Sequence, residues 1–279
     1  MRGNNRGFAV TAIATDVSST FTLKPSIQSV SPTSGSLMGG QIVTVKGDGF
    51  ISEGKKTAVN IGGALCNIIS ISHNEIQCQT VAMSASPVLQ VVVEVNGFKS
   101  ICKSAAGCSF VYSATYTPKV DSVNPSVIDG SRSIINIYGS VLPNNRWDLN
   151  VMIGGSVCGV ISSSQYSASC RGGAVVAGKY NLKVHVAGKG FAKFEAGATA
   201  IIEYPATVSS IAPTEGSIMG GTEVTINGNG FDPKPGQTVV KIGANNCAII
   251  QVTYSKVICR TSAHATGSFQ VLSFDDEVY

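Results

Sequence analysis

Cysteine is the residue whose number and spacing carry the most chemistry in this sequence. Cys66 and Cys78, Cys158 and Cys170, and Cys247 and Cys259 each stand 12 positions apart, while Cys102 and Cys108 form a closer fourth couple. Thiols so placed could ligate a metal, act as nucleophiles or close disulfides. Zinc ligation calls for C-x₂-C spacing, which is absent, and His73, His185 and His264 do not recur at matching places. The couples therefore predict four structural disulfides and an oxidising compartment. Asn67–Ser72 and Glu75–Cys78 read as two strands around a polar turn, so the recurrent pairs are expected to bridge hairpins with thiols face to face. Each such closure contributes about 3 kcal/mol in the chain-entropy model. Lys103–Gly107 is made of residues that turn tightly, which makes Cys102–Cys108 a clip before a last strand.

Other reactive residue types form no set. A hydrolase needs a nucleophile, a base and an orienting group that converge, and three isolated histidines supply none. Gly47-Asp-Gly-Phe50 and Gly228-Asn-Gly-Phe231 resemble phosphate loops, yet no helix follows either, so they read as turns. Asp275-Asp-Glu277 reads as a solvated tip, with calcium the minor alternative. Asn124-Pro-Ser126 is blocked as a glycosylation acceptor by its proline, and pairing of Cys247 would compete with Asn245-Asn-Cys247. No catalytic, cofactor or metal residue is assigned.

The elements that carry the cysteines repeat along the chain. Pro25-Ser-Ile-Gln-Ser-Val-Ser-Pro32-Thr-Ser-Gly35-Ser-Leu-Met-Gly39-Gly40 returns as Val208-Ser-Ser-Ile-Ala-Pro213-Thr-Glu-Gly216-Ser-Ile-Met-Gly220-Gly221, with a weaker copy at Pro118–Pro125. Alternating strands ending in glycine follow, with Val43 and Val45, Ile135 and Ile137, and Val224 and Ile226 on the buried side. Phe50 and Phe231 are expected to tuck into the core. Val59–Gly63, Val151–Gly155 and Val240–Ala244 each lead, through a glycine turn, to the first cysteine of a pair. Late strands are read at Leu89–Val95, Tyr180–Val186 and Phe269–Phe274, and closing strands at Ser109–Tyr112 and Ala200–Tyr204.

Seven or so short strands in about 90 residues predict a β-sandwich. The expected divisions are 1–24, the last strands of a preceding truncated module (Phe8–Ile13 and Ser19–Leu23), then modules at 25–117, 118–205 and 206–279. The last is expected to be truncated at its end, and both ends read as cut. The 31 glycines and a charged content of only 13% fit strands and turns rather than helices, and the net charge of +4 is scattered without a basic run. No apolar stretch approaches the roughly 18 residues that span a bilayer. Met1–Val17 holds no apolar core of a secretory signal.

The run Ser-Val-x-Pro-Thr-x-Gly-Ser-x-x-Gly-Gly, then Val-Thr-Val-x-Gly-x-Gly-Phe, then Ile-Gly-Gly-x-x-Cys with a second cysteine 12 later, closely resembles the IPT/TIG domain. The middle copy departs from it, with Asp129-Gly130 for the Gly-Gly turn and no Gly-x-Gly-Phe ending. Val93–Gly97, Cys102–Cys108, Phe110-Val-Tyr112 and Thr117-Pro118 look most like the fibrocystin and fibrocystin-like arrays. The resemblance implies an all-β chain of tandem immunoglobulin-like sandwiches (E-set type) in an elongated array. It also implies a non-catalytic part of a larger cell-surface or ciliary protein.

The leading functional expectation is an extracellular interaction, adhesion and spacer array that meets protein partners or itself through sandwich faces or edge strands. One alternative is a self-assembling surface filament or coat. Another is an intracellular Rel-like DNA-binding TIG protein, which would need a basic surface and reduced cysteines. No nucleic acid or cofactor is expected, and membrane attachment only through segments outside this chain. Glycan binding has Trp147 as its single indole platform.

Overall fold

Val43 and Val45 in Ile42–Asp48, Ile135 and Ile137 in Ile134–Ser140, and Val224 and Ile226 in Glu223–Asn229 are all buried. Strand pleating sends alternate side chains to one face, so these pairs begin three separate cores. The computed structural model describes residues 22–51, 56–128, 133–173 and 175–275. The expected strands Phe8–Ile13 and most of Ser19–Leu23 lie outside them, as do Asp129-Gly130 and Asp276-Glu277. Within the described residues the architecture is β-strand throughout, apart from a 3₁₀ turn at Arg146–Asp148.

In the first repeat, Ser26–Ser31, Ile42–Asp48 and Glu75–Gln79 pair antiparallel in one sheet. Thr57–Ile61 and Ser86–Val95 pair in the facing sheet, which Ser109–Tyr112 extends. One strand, Ala64–Ile71, belongs to both. Its start pairs with Thr57–Ile61, and after Cys66 it crosses the corner and pairs with Glu75–Gln79. Ser156–Ser163 and Asn245–Thr253 make the same crossing in the other repeats. The result is three β-sandwiches in tandem, each with its core between two sheets.

The glycine that ends each alternating strand is fixed by a close approach. The opening strand bulges between Ile27 and Ser29, between Val120 and Ser122, and between Val208 and Ser210. That bulge presses a carbonyl against the glycine: a Cβ on Gly47, Gly139 or Gly228 would lie 1.9 Å from the oxygen of Ser26, Lys119 or Thr207. Phe50 and Phe231 then fold into the cores, as their spacing predicts. The second repeat keeps this path with other residues. Leu142 is buried in the aromatic position, and Val141 holds φ 62° where Gly49 has 76° and Gly230 has 87°. A β-branched residue in left-handed backbone is strained.

Late strands differ from their expected limits: Ser86–Val95 and Gly178–Val186 begin earlier, while Val271–Asp275 begins two residues later than expected. The first two are held at their starts by the closing strands Ser109–Tyr112 and Ile201–Tyr204, which the third repeat does not show among the described residues.

Gly139→Ala is expected to destabilise the second repeat by about 3 kcal/mol through backbone overlap, and Val141→Gly to stabilise it by about 1 kcal/mol through relief of strain. Urea unfolding read from amides of the second repeat checks both signs.

Candidate interaction surfaces

Every cysteine singled out in the sequence sits in a short disulfide. Cys66–Cys78, Cys158–Cys170 and Cys247–Cys259 have S–S distances of 2.09, 2.13 and 2.10 Å, each with Cα atoms 5.5 Å apart. The six sulfurs are buried in their cores. They do not face one another across a hairpin, however. Cys78 is opposite Ile68 and Cys170 opposite Val160, while Cys66 pairs in the other sheet with Val59. The crossing strand has turned the corner between the two thiols, so each bond ties one sheet to the other. Cys102–Cys108, at 2.07 Å, joins the short Ile101–Cys102 strand beside Ser26–Ile27 to the start of the closing strand.

The crossing strands also carry a surface feature that hydrophobic alternation conceals. Their register slips between Ile68 and Ser70, Val160 and Ser162, and Ile249 and Gln251. The residue left in each bulge is an isoleucine three places after the first cysteine: Ile69, Ile161 and Ile250, exposed by 56%, 39% and 51%. Bulges re-aim side chains. Here they turn one apolar side chain outward at the same place in every repeat. The sequence signal was Cys-x-x-Ile, readable once the repeats are aligned.

The repeats meet through main-chain bonds. Ser36 N donates to Lys189 O at 2.9 Å, and Phe191 N donates to Gly39 O at 2.8 Å, a two-bond ladder between the first repeat's Gly-Gly turn and the second repeat's Gly178–Val186/Gly190–Phe191 hairpin. Ser36 Oγ donates to Phe191 O at 2.6 Å and His185 Nε2 lies 2.9 Å from Gly40 O, while within the first repeat Leu37 N donates to Thr117 Oγ1 at 2.9 Å. Gly40 must be glycine, because a Cβ there would lie 2.3 Å from the Phe191 ring. The second joint is different: Ala177 N donates to Gly230 O at 2.8 Å. His185 thus serves a joint, His264 lies 3.8 Å from the Phe269 ring, and His73 is exposed on a turn. They stand in three different repeats.

Trp147 is 79% exposed, but the Arg146 guanidinium sits 4.6 Å above its ring and occupies one face. Burial raises the pKa of the Tyr112 phenol, opposed by its hydrogen bond with Thr80. Burial also raises that of Tyr204, with Tyr254 of the next repeat and then Tyr180 adding to it. The carboxyl of Glu195 is held below its ordinary value, first by hydrogen bonding to Lys119 and then to Lys193.

Phe191→Ala is expected to loosen the first joint while leaving both neighbouring cores intact. Limited proteolysis should cut the 113–118 connection about tenfold faster, the effect of roughly 1.4 kcal/mol of lost apolar burial, with an unchanged urea midpoint for the first repeat.

Among known proteins, the IPT/TIG domain model matches residues 25–112, 118–199 and 206–276. Fibrocystin-L of Homo sapiens is 32% identical over 270 residues, which is 97% of this chain and 6% of that protein. Fibrocystin of Canis lupus familiaris is 27% identical over 262 residues, or 88% of this chain and 6% of its own length. Among solved structures, the plexin A4 full extracellular region aligns with a TM-score of 0.39 at 18% identity, covering 91% of this chain and 23% of that one. With no free cysteine and this kinship, the molecule is an extracellular or cell-surface segment. The chain belongs to the IPT/TIG domain family, as a tandem array similar to fibrocystin-L and fibrocystin.

Proposed function

We propose that this chain is a non-catalytic extracellular spacer and protein-binding array, divided into repeats at 25–117, 118–205 and 206–279. The observation that carries the reading is the outward isoleucine at the sheet corner of every repeat, Ile69, Ile161 and Ile250. Each stands beside a disulfide that fixes the backbone under it. Rigid, regularly spaced apolar contacts bind with little ordering cost, and a partner that meets several at once gains by multivalency. The ladder at the first joint favours a spacer that holds its faces at set angles, since Gly39 O accepts from Phe191 N and the Phe191 ring lies where a Cβ on Gly40 would stand. The intracellular DNA-binding reading is disfavoured by the stapled cysteines and by the thinly spread charge of +4. Arg146 lying over Trp147 disfavours a glycan platform there.

Small-angle scattering and an adhesion assay test the two halves of this reading. The chain should scatter as an elongated particle, and beads coated with it should adhere to a cultured cell monolayer. The triple variant Ile69→Asp, Ile161→Asp, Ile250→Asp should keep its fold by circular dichroism and lose adhesion at least fivefold. A globular scattering profile would contradict the spacer, and undiminished adhesion by the folded variant would contradict the isoleucine surface.

A further inference from the structure

Six residues separate Phe50, Leu142 and Phe231 from the strands Thr57–Ile61, Leu149–Ile153 and Thr238–Ile242, at positions 51–56, 143–148 and 232–237. Only the middle segment carries an aromatic residue, Trp147, and it is the one tryptophan of the sequence. Its side chain is 79% exposed. A large indole left in water at one place in one repeat has no role in that repeat's core.

Trp147 stands on backbone that is held from both sides. Its N donates to Asn145 Oδ1 at 3.2 Å, which caps the 3₁₀ turn Arg146–Asp148, and Leu149 N donates back to Arg146 O. Leu149 is buried, and Ala187 N donates to Asp148 O at 2.8 Å. The arginine over the ring is tethered as well. Arg146 Nη1 donates to Ile161 O at 3.4 Å, while its guanidinium carbon lies 4.6 Å from the ring centroid. Ile161 is the residue that the bulge in Ser156–Ser163 turns outward. Tryptophan, arginine and isoleucine are therefore gathered at one corner of the second repeat, with one face of the indole stacked and the other open to solvent.

Charge indicates what would cover that face. Arg146 makes no ion pair among the described residues, so its guanidinium edge keeps donors for a carboxylate. Residues 118–205 hold eight lysines and arginines against five aspartates and glutamates, a balance that favours an acidic partner. Tryptophan and arginine are the residue types that most often dominate protein interfaces, and side chains already ordered by stacking lose little freedom when covered. Asn144 and Asp148, which flank the pair in sequence, line a cavity of about 540 Å³ together with Thr115 of the first repeat and Lys189 of the docked hairpin. A chain leaving the pair thus has a concave path, along which Lys189 is the second cation and Asp148 the one acid.

We infer that Arg146, Trp147 and Ile161 form an anchor for an acidic peptide segment of a protein partner, one with a large apolar residue beside its carboxylate. The carboxylate would bond the guanidinium edge, and the apolar side chain would cover the free face of Trp147 and meet Ile161. The adjoining chain would follow the cavity. Lysine in place of Arg146 would keep the charge and lose the planar stack. This site rests on the protein-binding reading and narrows it to the second repeat; Ile69 and Ile250 stand in other repeats and take no part in it.

The test uses the whole 279-residue protein to select from a displayed library of short random peptides, and the recovered peptides are labelled and titrated by fluorescence anisotropy. Sequences with Asp or Glu beside Leu, Ile or Phe should be enriched and bind one to one, with a change in tryptophan emission that reports this site alone. Trp147→Ala and Arg146→Gln should each weaken binding about tenfold, Arg146→Lys about threefold, and Ile161→Asp, which sets a carboxylate beside the anchor, about tenfold. Ile69→Asp and Ile250→Asp should leave it unchanged, and all variants should keep the urea midpoint of the second repeat. Enrichment without acidic residues, binding indifferent to Arg146→Gln or Ile161→Asp, or stoichiometric displacement by a sulfated oligosaccharide, which would mark an anionic glycan site, would each overturn the proposal. Loss of cell adhesion by the triple isoleucine variant with no such peptide recovered would sink this site alone. Undiminished adhesion by that variant, with peptide binding still dependent on Trp147 and Arg146, would sink the wider reading instead.

Discussion

The sheet corner is the constraint on which each repeat depends. A strand must leave one sheet and enter the other without exposing its backbone, and it does so through a bulge just after the first cysteine. The disulfide spans that change of sheet, so the core on both sides is pinned at its most vulnerable point. For a small sandwich a closure of about 3 kcal/mol is a large share of the whole stability. The same bulge that lets the strand turn leaves Ile69, Ile161 and Ile250 outside. Stability and surface thus come from one backbone feature.

Away from the corner the repeats diverge at their ends, where they meet neighbours. The first repeat's Gly-Gly turn is buried under the second repeat's hairpin. In the third repeat the same Ser-x-Met-Gly-Gly sequence is open, and Met219 is 78% exposed.

Much of this was legible because glycine and cysteine positions are dictated by geometry that has no substitute. The glycine at the opening-strand bulge tolerates no Cβ, and so it marked all three repeats, including the divergent one. Leu142 and Val141 were not legible, because backbone already held by both neighbours tolerates a poorer residue, and no turn signature survives. The pairing of thiols was in the spacing, but the crossing between sheets was not. A hairpin and a corner have the same period of two until a bulge intervenes, and no residue type announces one. The first joint was invisible for a similar reason: its ladder, Ser36 N to Lys189 O and Phe191 N to Gly39 O, is made of main-chain atoms that every sequence possesses.

The most direct check on this account is a disulfide map of the intact, unreduced protein by peptide mass spectrometry. The account requires the linked fragments Cys66–Cys78, Cys102–Cys108, Cys158–Cys170 and Cys247–Cys259, with no free thiol. Free cysteines, or links that run from one repeat to another, would contradict it.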